Sequence, residues 1–504
     1  MKRFTRDVAI IALATATSRL FGLFRDVAIA DNFGAGTAYD AYIVAFFLPQ
    51  FLRKLLGEGA LALSFIPVYS NYLLKDREEA GKMASNFLNI LLLCFPLVIA
   101  IGILFAPHFI PFLASGFSPS KQELTIRLTR IVFPFVGFMG LAALMMGILN
   151  AHKHFFAPAF APVFFNIGVI SGALYLGNFF ERPIFGLASG VLLGGMGQLA
   201  FQVPYIRREG FNWRPEFFPL HPGVKRAMRL MVPMVVGLIA AQVNIMVDNK
   251  LASYLPAGSI SSLQYATRLY QLPLGLFAIA ISTAILPRLS DKWSEGSREE
   301  FGKMLKNGMD LLFFIILPAT IGLFVMGKPI VELLFEHRSF TPQDTVRTVY
   351  ALDYYLVGLL GYSLVQLFTR AFYSIQQTFI PVLAGILAVG VNVGLDLALI
   401  GPLGVGGLAL ATAVSGLVNA AVLMLVFGYM IEEGRFRPGF FLLFKISVSA
   451  LITGAGVYLC RNMVLNITKS EVALVFIPVL LGVLLYFGLS YLFGSHRVIW
   501  EATN

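Results

Sequence analysis

Cysteine is almost absent from this chain. Cys94 and Cys460 are the only two, far apart in apolar surroundings, which excludes a disulfide framework and a cysteine-based metal site. Charge is scarce as well, at 13% of 504 residues against roughly a quarter in ordinary soluble domains. The six histidines are scattered, and His152 and His154 on one short loop read as facing solvent or lipid headgroups, not a metal. No G-x-x-x-x-G-K-[ST] loop occurs, so nothing points to direct ATP hydrolysis. No stretch between apolar runs is long enough for a separate catalytic domain, the longest being 205–224. These absences point away from an enzyme.

What remains is apolar. Hydrophobic residues make up 58% of the chain, with 47 phenylalanines and 47 glycines, a composition that predicts an all-α polytopic membrane protein. About 20 apolar residues span a bilayer, and polar or Gly/Pro breaks separate the candidates. Helices are expected near 7–31, 38–74, 83–113, 122–151, 158–180, 184–206, 224–253, 259–290, 302–335, 343–375, 379–400, 405–431, 440–462 and 471–494, fourteen in all. The second is too long for a simple span, and Pro49, Gly57, Gly59 and Pro67 predict a bend or break. The basic start and apolar run of MKRFTRDVAIIALATA mimic a signal peptide, but the apolar pattern continues to Ala30, which favours an uncleaved first helix.

Lysine and arginine in the short loops give the orientation. With the N-terminus inside, cytoplasmic segments collect 23 of the 38 basic residues and external segments, Lys121 among them, seven. Both termini are therefore expected in the cytoplasm, and the net charge of +11 reflects topology rather than a nucleic-acid surface.

An internal repeat is visible. Asp26-x7-Gly34-Ala35-Gly36 returns as Asp248-x7-Pro256-Ala257-Gly258, and the run around Pro67 returns around Pro287. Six helices lie between equivalent points, so the copies insert with the same orientation about an axis along the membrane normal, with substrate expected at their interface. The predicted domains are an N-terminal six-helix half (1–215), a C-terminal six-helix half (216–434) and two extra helices (435–504).

The charges inside the spans carry the functional signal. Arg19, Arg25, Arg53 and Arg268 have no easy route to an interface, and a charge at the centre of a membrane helix costs roughly 2.5–3.5 kcal/mol even on the lenient insertion scale. Guanidinium groups bind phosphate oxygens through a rigid fork, which suits a diphosphate. The competing reading is internal neutralisation, with Arg25 paired to Asp26, Asp31 or Asp40. Arg19 and Arg25 are six residues apart, about 120° around an ideal helix. Asp40 and Glu58 read either as gates or as helix-terminus anchors. Asn392 and Asp396 are i,i+4 neighbours and, with Asp248 and Thr412, form either a hard-oxygen Na⁺ site or an interhelical hydrogen-bond network.

Four stretches, SRLFGLFRD from Ser18, FGAGTAYDAYIVAFFLPQFLRKLLGEGALALSFIP from Phe33, SLQYATRLYQLPLG from Ser262 and RAFYSIQQTFIP from Arg370, resemble the bacterial lipid II flippase family (MurJ/MviN). That family lies within a superfamily that also holds multidrug exporters and polysaccharide flippases. The resemblance covers essentially the whole chain. It implies fourteen helices and alternating-access transport of lipid II, the lipid-linked peptidoglycan precursor, to the outer leaflet of the bacterial cytoplasmic (inner) membrane. Carried over by motif, Arg19, Arg25, Arg53 and Arg268 would engage the diphosphate-sugar headgroup, with Asp40 and Glu58 at other polar positions of the same blocks. The last two helices would form a groove for the polyprenyl tail. Asp248, Asn392, Asp396 and Thr412 match the sodium site of some relatives; no cofactor is otherwise required. Gln50 stands where Asn is usual, and Lys54 where a second Arg is common. The resemblance further implies a monomer in contact with membrane lipids, associated with cell-wall synthesis proteins. A polysaccharide-lipid flippase and a cation-coupled multidrug exporter are the alternatives within the superfamily.

Overall fold

The computed structural model describes residues 2–55, 60–215, 219–430 and 439–499. The chain order is α1 (Lys2–Phe33), α2 (Thr37–Arg53), α3 (Ala60–Lys75), α4 (Arg77–Leu113), α5 (Pro119–Val132), α6 (Phe135–Ala151), α7 (Phe156–Phe160), α8 (Pro162–Leu174), α9 (Ile184–Arg208) and α10 (Pro222–Ala252). It continues through α11 (Ser259–Pro273), α12 (Ile279–Ser294), α13 (Arg298–Phe335), α14 (Pro342–Val357), α15 (Leu359–Ser374), α16 (Phe379–Leu403), α17 (Val405–Met430), α18 (Phe440–Ile467) and α19 (Glu471–Leu492). No strand occurs among the described residues. Every expected apolar segment coincides with a helix or a broken helix pair. Among the described residues, 10 helices are long and apolar enough to cross a membrane, or 11 if the bent pair α14–α15 is one span. That is coarser than the expected fourteen.

Several single segments of the sequence reading are broken in the structure. Pro134 separates α5 from α6, and Pro162 starts α8 after the short α7. Proline has no N–H for the helical ladder, so it sits where a helix begins or bends. α11 ends at Pro273 and passes through a π turn, Leu274–Ala278, into α12. α14 and α15 meet at Gly358 with a 46° bend.

Two compact units are present: residues 1–258 with 338–340, and 259–337 with 341–504. The first takes in α10, which packs on α3 and α4. Within the first unit α2 packs on α5, α3 on α6, α4 on α5 and α6, and α8 on α9. Within the second, α11 packs on α14, α12 on α15, α13 on α14 and α15, and α16 on α17. The order of helices and the pattern of partners thus recur. α18 and α19 pack on α13, where the Tyr486 hydroxyl donates to the Phe314 carbonyl at 2.6 Å.

Glycine sets the closest approach in the first unit. A Cβ on Gly168 of α8 would lie 2.3 Å from Gly194 Cα of α9, and one on Gly190 would lie 2.6 Å from the Gly168 carbonyl oxygen. Small residues at four-residue spacing, Gly168 and Gly172 against Gly186, Gly190 and Gly194, let two membrane helices touch backbone to backbone.

Polar groups in this unit are answered locally. Lys121 of α5, buried beside the Phe117 ring, lies 2.9 Å from Asp40 Oδ2, which also accepts the Gly258 backbone N–H at 2.7 Å. The sequence reading had placed Lys121 in an external loop. Asn86 and Asn89 of α4 hold the connector between α9 and α10: Asn89 donates to the Arg214 carbonyl and accepts from Trp213 Nε1, and Asn86 accepts the His221 N–H. His152 and His154 do not simply face solvent. His152 lies 3.1 Å from the Tyr69 hydroxyl, and both ring Nδ1 atoms face Glu209, at 3.5 and 3.9 Å. Burial pulls the His152 imidazole below its ordinary value, with Glu209 opposing.

Two stability predictions follow from this packing. Gly190→Ala must push backbone against backbone and is expected to cost about 1–3 kcal/mol, whereas Gly428→Ala, with nothing within 4 Å of its Cβ, should be neutral; thermal unfolding in detergent compares them. Lys121→Met leaves the Asp40 charge buried and should cost about 3–5 kcal/mol. Adding Asp40→Asn should recover a large part of that loss in the same measurement.

Candidate functional site

Ser18, Gly22 and Arg25 share one face of α1, the face on which α8 packs. Asn166 of α8, buried, donates its amide N–H to the Ser18 carbonyl at 3.1 Å and accepts from Arg25 Nη1 at 3.0 Å. Arg25 Nε and Nη2 both donate to Asp26 Oδ1, at 3.0 and 2.7 Å. Three of the five guanidinium N–H groups are thus engaged, and the plane of the fork is set by two helices. The Arg25 side chain is 17% exposed, so it is oriented from behind and not sealed. The internal pairing weighed from the sequence is present, with Asp26 as the partner and not Asp31 or Asp40. It neutralises the formal charge of Arg25 while leaving it two directional donors.

Arg19 follows Ser18 and is turned about 100° from it. It is exposed and makes no hydrogen bond or ion pair among the described residues. Arg19 and Arg25 therefore present different things: an uncompensated charge and an aligned fork. Arg53, half-buried in the last turn of α2, donates from Nε to Gln50 Oε1 at 3.2 Å. The departure at Gln50 thus keeps an amide acceptor beside that guanidinium. Asp40 is committed to Lys121 and the Gly258 N–H. Glu58 lies outside the described residues.

In the second unit, Arg268 is half-buried on α11. Two residues along, Tyr270 stacks with Tyr355 and Tyr362, centroids 5.0 and 5.8 Å apart, and the Tyr362 hydroxyl donates to the Thr412 carbonyl. Asn392 and Asp396 are both fully buried on α16. Asn392 Nδ2 donates to Thr412 Oγ1 at 3.4 Å, and that hydroxyl donates to the Leu408 carbonyl at 2.9 Å. The structure therefore brings Asn392 and Thr412 together, with Asp396 one turn along the same helix. Asp248 is half-buried on α10 of the other unit. Carboxylate, amide and hydroxyl oxygens are the chemistry of a hard cation such as Na⁺, and no cluster of three or more His, Cys, Asp or Glu side chains suited to a metal occurs among the described residues.

The sequence reading missed Asn166 and Lys121. A lone asparagine in the apolar run PVFFNIGVI was a visible signal; a lysine in the polar stretch SPSKQE carried none.

Residues 29–481 match the family described as "Lipid II flippase MurJ". A probable lipid II flippase MurJ of Vibrio cholerae is 37% identical over 433 residues, 84% of this chain and 82% of the relative. That of Bdellovibrio bacteriovorus is 33% identical over 515 residues, 99% and 96% of the two chains. Among solved structures, a lipid II flippase MurJ in an inward closed conformation superposes with a TM-score of 0.82 at 29% identity, over 97% of this chain and all of that one. An inward-facing multidrug transporter of the MATE family gives 0.69 at 16% identity, over 84% of this chain and 96% of the other, a likeness of fold alone. With a family match along most of its length and relatives this similar, the chain is a multi-pass membrane protein and belongs to the lipid II flippase family.

Proposed function

We propose that this protein carries lipid II from the inner to the outer leaflet of the cytoplasmic membrane by alternating access, without covalent chemistry. The observation that carries the reading is the Arg25 guanidinium, held by Asp26 and Asn166 inside an apolar helix with two N–H donors left to give. A diphosphate offers paired anionic oxygens that match such a fork. Arg25 supplies direction, and Arg19, Arg53 and Arg268 supply positive charge that draws the headgroup from the cytoplasmic side. Asn166 keeps the fork aligned when the ligand leaves. The two halves, 1–215 and 216–434, carry twelve of the fourteen spans and exchange access by rocking about the site. α18 and α19 guide the polyprenyl tail along their apolar outer faces, where Leu459 and Leu484 are exposed. Both termini lie in the cytoplasm, by the distribution of Lys and Arg. The protein works as a monomer beside the cell-wall synthesis machinery, driven by membrane potential or a cation gradient. Asp396, Asn392, Thr412 and Asp248 form the coupling Na⁺ site in this reading.

Removing a charge-assisted donor set costs about 1.5–3 kcal/mol, roughly ten- to a hundredfold in affinity. Arg25→Ala and Arg268→Ala should therefore each abolish rescue of a flippase-depleted strain while inserting at normal levels. Full rescue by both overturns the arginine mechanism. Transport in vesicles with competing lipid-linked sugars separates lipid II from a polysaccharide carrier. Sodium at a hundred times its Kd should stabilise the purified protein by about 2.7 kcal/mol, seen as a rise in Tm over a potassium control. Asp396→Asn should remove that rise.

A further inference from the structure

The second unit holds a carboxyl that neither the arginines nor the cation site uses. Asp353 lies on α14, beyond the polar opening turns that carry Gln343, Asp344 and Arg347, and about one helical turn before Gly358. α14 and α15 form one candidate span, bent by 46° at this glycine. Asp353 is half-buried, and its Oδ1 is buried with no hydrogen-bond partner among the described residues. It also forms no ion pair there.

The surroundings explain why none of the described residues supplies a partner. α17 offers no Asp, Glu, Lys, Arg or His, and only Tyr429 among titratable groups. Tyr350 and Tyr354 of α14 lie against its Gly406. From α11, Tyr270 stacks on Tyr355, and Arg268 and Tyr265 complete the titratable groups of that helix. On α13 the charges nearest the contact of Gly327 with Leu352 are Lys328 and Glu332, which pair with each other at 3.6 Å. α15 carries Tyr362, engaged with the Thr412 carbonyl, and at its far end Arg370 and Tyr373.

An ionised carboxylate in a membrane span needs a cation, donors or water. Here one oxygen is buried with no donor among the described residues, while the half-exposed side chain still meets the outside. Only a proton is small enough to satisfy such a group without rearranging its neighbours. We propose that Asp353 is a proton-binding site, loaded and unloaded as α14 and α15 change their bend. The proton passes from water to the carboxylate, forming one O–H bond, and returns to water on release; no other bond changes. Loaded, the neutral acid fits the apolar packing. Unloaded, the carboxylate must turn toward water, and the break at Gly358 is where the helix can give. There the Gly358 N–H bonds back only three residues, to Tyr355 at 3.0 Å. The pivot itself is pinned to α17, since a Cβ at Gly358 would lie 2.5 Å from Ala413 Cα.

Proton binding stands on this geometry alone, and its coupling to transport rests on the proposed function. The test is an infrared titration of the full chain in lipid nanodiscs, read at the carboxylic-acid carbonyl band. The wild type should show a band that appears as pH falls. Asp353→Asn should lose it, Asp353→Glu should shift it, and Asp396→Asn and Asp40→Asn should keep it. A band unchanged in Asp353→Asn, or lost only in one of the other two, overturns the assignment. In vesicles the wild-type rate should vary across the same titration and the Asp353→Asn rate should not. Equal pH profiles for the two overturn the coupling. Vesicles in which no variant moves lipid II count against the proposed function, and the infrared band still decides on Asp353.

Discussion

A charge inside an apolar helix must be met by something within a few ångströms, and the arrangement of the first unit follows from that constraint. Arg25 is met by Asp26 and Asn166, and Lys121 by Asp40, itself also bonded to the Gly258 N–H. Each of these ties joins elements distant in sequence: α1 to α8, and α2 to α5 and to the turn before α11. Taking two charges out of water gains little net stability. Their value lies in specificity, because each pair is satisfied in one arrangement of helices and stranded in others. The same pairing removes the formal charge of Arg25 without removing its geometry. A substrate then meets an aligned fork whose own partner already holds the guanidinium in place, so less ordering is left for binding to supply.

Packing without charge is handled by glycine. The stripe on α8 and α9 removes side chains where the backbones meet, and the second unit repeats the device with Gly407 against the Leu399 carbonyl and Gly358 against Ala413. A membrane helix pair gains nothing from excluding lipid in favour of leucine, so close contact and dispersion must do the joining. Breaks at Pro134, Pro162 and Gly358 are tolerated in the same setting, since neighbouring helices and short-range bonds re-satisfy the freed backbone groups.

Helix positions were legible because bilayer thickness imposes a length on apolar runs, and the repeat was legible because Asp26–Gly36 and Asp248–Gly258 share spacing as well as residue type. The arginines stood out for the same reason that they matter: apolar surroundings make any charge conspicuous. What the sequence hid were partners across helices. Asn166 is 141 residues from Arg25 and Lys121 is 81 from Asp40, and no periodicity within a helix reports on either. Breaks inside apolar runs were hidden as well, because Pro134 or Gly358 in a membrane helix can kink it or pass unnoticed, depending on what packs beside it.

The two units manage charge in different ways, which bears on how transport can be driven. α1 and α2 of the first place arginines beside acids and amides, a setting for an anionic headgroup. α16 and α17 of the second hold Asp396, Asn392 and Thr412 with no Lys, Arg or His in either helix, and α14 adds Asp353 with its sealed oxygen. In the proposed reading, the oxygen-rich, base-free pair α16–α17 suits Na⁺, and the buried oxygen of Asp353 suits a proton. A transporter that binds an anion through arginines and a cation through buried carboxyls can tie the two by electrostatics alone. Loading one lowers the cost of desolvating the other, and neither ligand has to touch its counterpart. Under the proposed function, the membrane potential then acts on whichever net charge the loaded state carries, so the protonation state of Asp353 sets how strongly voltage drives each turnover.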